Sequence, residues 1–432
     1  MENEFKDTEI GKIPVDWEVL ELKQVTENIF SGGTPDTRKP EYWNGDIPWL
    51  SSGETRNNSI TETEKKITYK GVENSSTRLA KKEDIVIASA GQGYTRGQAS
   101  FCKIDTYINQ SIVALRTKKE LVNPLFLYYN ITLRYNELRA ISDSHSSRGS
   151  LTTKLLAPLK IPIPPLEEQQ KIAQILSALD DKIENNNQQN KILEETANSI
   201  FKEWFVDFNF LNEDGLSYLE NDGEMEFNEE LEIEIPEGWN VKYLDEICTV
   251  MGGGTPKTNV PEYWQDGTIL WATPTDMTSK KSPVIDTTEK KITELGLKES
   301  SAKLVPKGSI LMTSRATIGY SSIAMKEIST NQGFINIICD KKVSNYFILY
   351  LLEHIKDKII ALANGSTFLE ISKTNFKNIR VIVPDYQTME KYNEIIEELI
   401  NKIYKNSKEN QNLSNLRDLL LPKLMSGEIR LK

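Results

Sequence analysis

The chain repeats itself. GGTPDTRKPEYW at 32–43 returns as GGTPKTNVPEYW at 253–264, nine of twelve positions identical and 221 residues apart in a chain of 432. The match extends in both directions. IPVDW (13–17) pairs with IPEGW (235–239), IPW (47–49) with ILW (269–271), and EKKIT occurs at both 64–68 and 289–293. SSTRL (75–79) aligns with SSAKL (300–304), Asn109-Gln110 with Asn331-Gln332, and IPIPP (161–165) with VIVPD (381–385). The offset drifts only between 220 and 225. Self-similarity sustained over so long a period requires two copies of one fold, and a chain of this length is too long for a single core.

Each copy has two parts. The first carries short β-type runs (DIVIAS and SIVALR; SILMTS and FINIIC) broken by Gly, Pro, Ser and Thr, with helical stretches such as LFLYYNITLRYNELRA and YFILYLLEHIKDKIIALA. That pattern predicts a mixed α/β domain over 14–160 and another over 236–380. The second part is helical. Leu166 follows a Pro-Pro that suits a helix start. Apolar residues then recur at Ile172, Ile175, Leu176, Leu179 and Ile183, and the spacing continues through Asn186, Asn190, Leu193, Ala197, Ile200 and Trp204. Tyr392, Ile395, Ile396, Leu399 and Ile403 repeat the stripe, followed by Asn406, Asn410, Leu413 and Leu420. Heptads over roughly forty residues predict helices about 60 Å long, over 165–206 and 385–425. Asn186/Asn190 and Asn406/Asn410 fall at the same heptad positions, where buried amides fix register and partner choice at some expense of stability. The expected fold is therefore α+β: two homologous mixed domains separated by two long helices packed as an antiparallel coiled coil, a pseudo-two-fold dumbbell.

The net charge of −11 argues against nucleic acid only until it is divided. Residues 14–160 and 236–380 each carry +3, while 161–235 carry −15. The stretch 207–235 reads as a solvated acidic linker. No signal-peptide core or membrane-length apolar run is present, and three dispersed cysteines with two histidines support neither a disulfide framework nor a zinc site. A cytoplasmic protein with free, buried thiols is expected, with no membrane contact and no metal.

Catalytic patterns are missing. GGGTPKT lacks the Gly-Lys-Ser/Thr of a phosphate-binding loop, so the glycines read as a tight turn. His145 and His354 have no counterparts across the repeat, and VPDYQTMEKY is not matched by a nuclease-like motif in IPPLEEQQKI. What remains is binding. Loops mixing hydroxyl, amide, basic and aromatic residues recur in corresponding places: SSGETR, SAGQGYTR and SHSSRGS in the first half, ATPTD, TSRATIGY and NGSTF in the second. Such side chains read base edges and hold phosphates. The candidate DNA contacts are Arg56, Gln92, Tyr94, Arg96, Ser146, Ser147 and Arg148, then Thr273, Thr275, Arg315, Thr317, Ser366 and Thr367. The frame is shared while the loops differ.

The duplicated GGTP…PEYW, the Asn-Gln, the helix start IPIPPLEEQQKIAQILSALDDKI and the terminal KLMSGEIRL resemble the specificity (S) subunits of type I restriction-modification enzymes. The resemblance spans essentially the whole chain. It implies a non-catalytic subunit whose two target recognition domains each read half of a split site in double-stranded DNA. It implies spacer helices that act as a ruler, with Leu166, Ile172, Leu179, Asn186, Asn190, Leu399, Asn406 and Asn410 on their interface. The partners it implies are two methyltransferase (M) subunits using S-adenosylmethionine and restriction (R) subunits using ATP and Mg. The helix start VIVPDYQTMEKY departs from the family pattern. A coiled-coil scaffold without sequence-selective DNA binding is the alternative.

Overall fold

In the computed structural model, residues 4–91, 93–144, 149–211, 215–280, 282–341, 343–365 and 369–431 are described. The chain divides into two compact units, one of residues 1–184 with 410–432 and the other of residues 185–409.

The same sheets form in each unit. A five-stranded sheet in the first unit has the order Thr26–Ser31, Ile112–Thr117, Ile85–Ala88, Ala99–Cys102, Ser59–Ile60. Its counterpart in the second runs Thr249–Gly252, Phe334–Ile338, Ile310–Thr313, Ser321–Ala324, Val284–Ile285. A four-stranded sheet follows suit: Lys65–Ile67, Trp43–Leu50, Thr106–Ile108, Arg78–Ala80 against Lys290–Ile292, Ile269–Ala272, Ile328–Thr330, Leu304–Val305. IVIA (85–88) and ILMT (310–313) are buried throughout, as expected of central strands covered on both faces. The helices Pro124–Leu133 and Asn345–His354 are capped by Asn123 and Ser344 and bury Phe126 and Phe347.

The two predicted helices are Leu166–Phe205 and Tyr386–Met425, forty residues each. They pair antiparallel. In the first unit Ile172 and Leu176 share a core with Leu421 and Leu424, and Arg417 meets Asp180 at 2.7 Å. In the second, Asn406 donates to Asn190 at 2.9 Å and Asn186 to Glu409 at 2.8 Å. Asn186 and Asn406 are buried, Asn190 and Asn410 partly so, as are Leu166, Leu179 and Leu399. Ile175 and Ile395 depart from the expected stripe. They turn outward at matching positions of the two helices, 38% and 37% exposed.

Two features go beyond the sequence reading. The repeat begins before residue 14, with a hairpin of Phe5–Thr8 and Gly11–Pro14 matched by Met225–Asn228 and Ile233–Pro236. The stretch 207–235 is also more than a solvated linker. Phe210 is buried and stacks on Tyr218 (4.4 Å) and on Trp239 (5.0 Å), with Phe208 edge-on to the same indole. Four aromatics within thirty-two residues supply enough apolar area to fold a segment whose charge alone predicts solvation. Among the described residues no helix is long and apolar enough to cross a membrane.

Candidate nucleic-acid interface

The repeated GGTP motif is a structural clamp, built the same way twice. Gly33 N–H donates to the Ile108 carbonyl at 3.0 Å, and Gly254 N–H to Thr330 at 2.9 Å. A Cβ on Gly32 would collide with the Ile108 carbonyl and one on Gly33 with Ser76; Gly253 and Gly254 face the same obstruction from Asn331 and Ser301. The tryptophans complete it. Trp49 Nε1 donates to the Gly33 carbonyl and Trp271 Nε1 to Gly254, while Trp43 and Trp264 stand edge-on to them at 5.0 and 4.9 Å. Thr34 donates to the Gln110 side chain and Thr255 to Gln332, so the threonine of GGTP and the Asn-Gln pair are one unit. The threonine of EKKIT caps the next short helix in both copies, at Thr68 and Thr293. Only the turn's tip differs: Asp36, held at about 2 by its hydrogen bonds from Arg38, occupies the place of Lys257.

The variable loops hang on this frame. In the second unit, Asn331 N–H donates to Ala272 at 2.9 Å, Ser314 N–H to Gly333 at 2.8 Å, and Ile371 N–H to Ser314 at 3.0 Å. Segments 272–276, 314–320, 331–333 and 369–371 therefore converge. The first unit repeats the stitching through Asn109 to Leu50 (3.2 Å), Ser89 to Ser111 (2.8 Å) and Leu151 to Ser89 (2.8 Å). The described ends of the sequence-predicted loops converge in each unit, beside its own Asn-Gln.

Individual candidates differ in what they can offer. Arg56 is exposed on the turn Ser52–Arg56, 3.6 Å from Glu64. Tyr94 is 85% exposed, and its carbonyl accepts the Tyr135 hydroxyl at 2.8 Å. Arg96 is buried and ion-paired with Asp143, lying where a Gly149 side chain would go. Thr273 caps its turn through Asp276 at 2.7 Å, whereas Thr275 and Thr317 are exposed. Arg315 is partly buried, and its backbone bridges to Glu370. Gln92, Ser146, Ser147, Arg148, Ser366 and Thr367 lie outside the described residues. Sequence reasoning missed two cations beside these loops. Lys373 approaches Gly252, and Lys356 lies 4.7 Å over the Tyr320 ring while pairing with Glu353 at 3.5 Å. Neither belongs to a Ser/Gly-rich loop, so loop composition does not point to them.

Where each domain meets its long helix, a tryptophan ties the two. Trp17 Nε1 donates to Glu168 at 3.1 Å, and Trp239 Nε1 to Asp385 at 3.2 Å. Asp385 also caps the second helix through Thr388, so the departure PDYQT keeps the carboxylate that the family pattern supplies differently. Around Trp17 the C-terminal tail closes the site: Arg430 pairs with Asp16 and Glu168 and stacks on the indole, 5.7 Å from its centre.

A family profile described as the type I restriction modification DNA specificity domain matches residues 14–195 and again 236–415. The chain is 33% identical to the type I restriction enzyme MjaIX specificity subunit of Methanocaldococcus jannaschii, covering 100% of this chain and 98% of that one. It is 27% identical to the HindI specificity subunit of Haemophilus influenzae, over 96% of this chain and all of the other. Its fold resembles the crystal structure of an S subunit of a type I restriction-modification system from M. genitalium, with a TM-score of 0.59 at 18% identity over 98% of this chain and 99% of that one.

Proposed function

The chain belongs to the type I restriction-modification DNA specificity family, and from that premise we propose that it reads a split site in duplex DNA, one half per recognition domain. One observation carries the reading. Two clamps of identical construction, GGTP with Asn-Gln, hold loop sets of different sequence in the same places. A frame that repeats while its loops diverge suits a device that reads two different half-sites by one geometry. Arg, Thr and Tyr side chains at the loops supply phosphate and base-edge contacts.

In this reading the chain is itself non-catalytic. It recruits two methyltransferase (M) subunits, which carry S-adenosylmethionine and modify adenine, and restriction (R) subunits, which use ATP and Mg. Ile175 and Ile395, exposed at matching points of the two helices, are suited to receive equivalent apolar surfaces of two partner subunits. A charge of +3 per recognition domain fits shared electrostatic duty, with partners supplying part of the phosphate contact.

The test is selection from a random duplex library by the chain bound to its M partner. Enrichment of two fixed blocks separated by a spacer of one length supports the proposal. Binding that enriches no sequence supports instead a coiled-coil scaffold.

A further inference from the structure

Resting on that reading, we infer that the domain of residues 236–380 recognises a guanine in its half-site through Arg315, and that Gly333 is what positions that arginine. The two repeats differ at one telling place. After Asn-Gln the first copy has Ser111 and the second Gly333, each donating its N–H to the side chain of the preceding Asn (3.0 and 2.8 Å) and each accepting from the serine that starts the neighbouring loop. The backbone is the same. The space is not. A Cβ at Gly333 would stand 3.1 Å from Arg315 Nε, 3.1 Å from Asn331 Oδ1 and 3.3 Å from Pro274 Cγ. The stem of the guanidinium thus fills the room that the missing side chain leaves, at the point where segments 272–276, 314–320 and 331–333 meet.

The loop is built to hold this arrangement. Thr313 Oγ1 accepts Tyr320 N–H at 3.0 Å and donates to the Thr317 carbonyl, Gly319 N–H bonds Thr313 at 2.9 Å, and Ala316 adopts φ +61°. An alanine in the left-handed region is strained and persists only where its surroundings dictate it. Arg315 is only partly buried, so its fork can reach the paired acceptors of guanine in the major groove. The first domain treats its arginine in the opposite way. Arg96 is buried, ion-paired with Asp143, and its guanidinium lies against Gly149. One arginine is a reader and the other a fastener.

Library selection with the M-bound complex tests this on four variants beside the wild type. Arg315→Ala and Arg315→Lys should each relax one guanine position in one block, by about 5- to 150-fold in selectivity, leaving the other block intact. Lysine retains the charge and loses the fork. Gly333→Ser should relax the same position to a smaller degree, because it restores the side chain the first repeat carries and displaces Arg315 without straining the backbone. Arg96→Ala should relax no single base. The inference is overturned if Arg315→Ala preserves every base preference, or lowers affinity equally for all sequences as a phosphate contact would. A wild-type complex that selects no sequence overturns the recognition reading and this inference with it.

Discussion

Removing the guanidinium of Arg430 should loosen the junction between the first recognition domain and its helix while sparing the second unit. Its side chain is only 7% exposed and forms two bonds to Asp16 (2.9 and 2.6 Å) and two to Glu168 (2.8 and 2.9 Å). Glu168 is 4% exposed at its side chain. Deleting one partner of such a pair leaves a buried charge, which ordinarily costs about 3–5 kcal/mol. Glu168 retains the Trp17 indole N–H and the Leu431 N–H, and Asp16 is half-exposed, so the lower end applies: Arg430→Ala is expected to cost about 3 kcal/mol. Two units make a single unfolding free energy ill-defined. Amide exchange resolved along the chain is the suitable assay. Protection should fall at Trp17, at the start of helix Leu166–Phe205 and near Met425, with residues 236–380 unchanged. Arg430→Lys should recover part of the loss, since the charge returns without the planar fork. Exchange in Arg430→Ala within about 0.5 kcal/mol of wild type at all three places would refute the reasoning.

Three further outcomes follow from the same contacts. Gly33→Ala or Gly254→Ala drives a Cβ into Ser76 or Ser301 and should destabilise its own unit by about 3 kcal/mol or more, read by amide exchange within that unit; Gly238→Ala, which meets no atom within 4 Å, should cost less despite its positive φ. Burial raises the Glu168 carboxyl, but the bonds from Arg430, Leu431 N–H and Trp17 outweigh it and hold the group below its ordinary 4.5. A depressed folded value means stability that is complete above pH 4.5 and is lost as pH falls through the folded value, so melting of the first unit should become acid-sensitive below that point, and Arg430→Ala should blunt the dependence. Inserting about one helical turn into helix Leu166–Phe205 should change the preferred spacer or abolish assembly, measured by library selection; an unchanged spacer would sink the ruler function.

Much of this architecture was legible because it was written twice. A repeat makes each anchor testify for its partner, and the forty-residue helices announced themselves by period and by paired asparagines. The amphipathic hairpins at 5–14 and 225–236 escaped because their strands of four residues are too short for a period to show through dense charge. The aromatic stack on Trp239 escaped for a related reason: Phe208, Phe210 and Tyr218 are spaced irregularly, and acidity dominated the segment. Among candidate contacts, side-chain chemistry marks the loops but not which of their side chains are committed elsewhere. Arg96 and Arg315 look alike in sequence, and only the position of Asp143, 47 residues further along, separates a buried fastener from an available fork. Gly333 carried a signal after all, as the point where the second copy omits the serine of the first.

In the proposed function, one chain reads two half-sites with two versions of one clamp. The most direct measurement is to co-express it with its M partner in a host lacking other adenine methylation and map every methylated adenine. The expected result is a single motif of two fixed blocks flanking an unspecified spacer of constant length, with substitutions at Arg315 altering one block alone. Methylation with no shared motif, or a motif in one uninterrupted block, would contradict it.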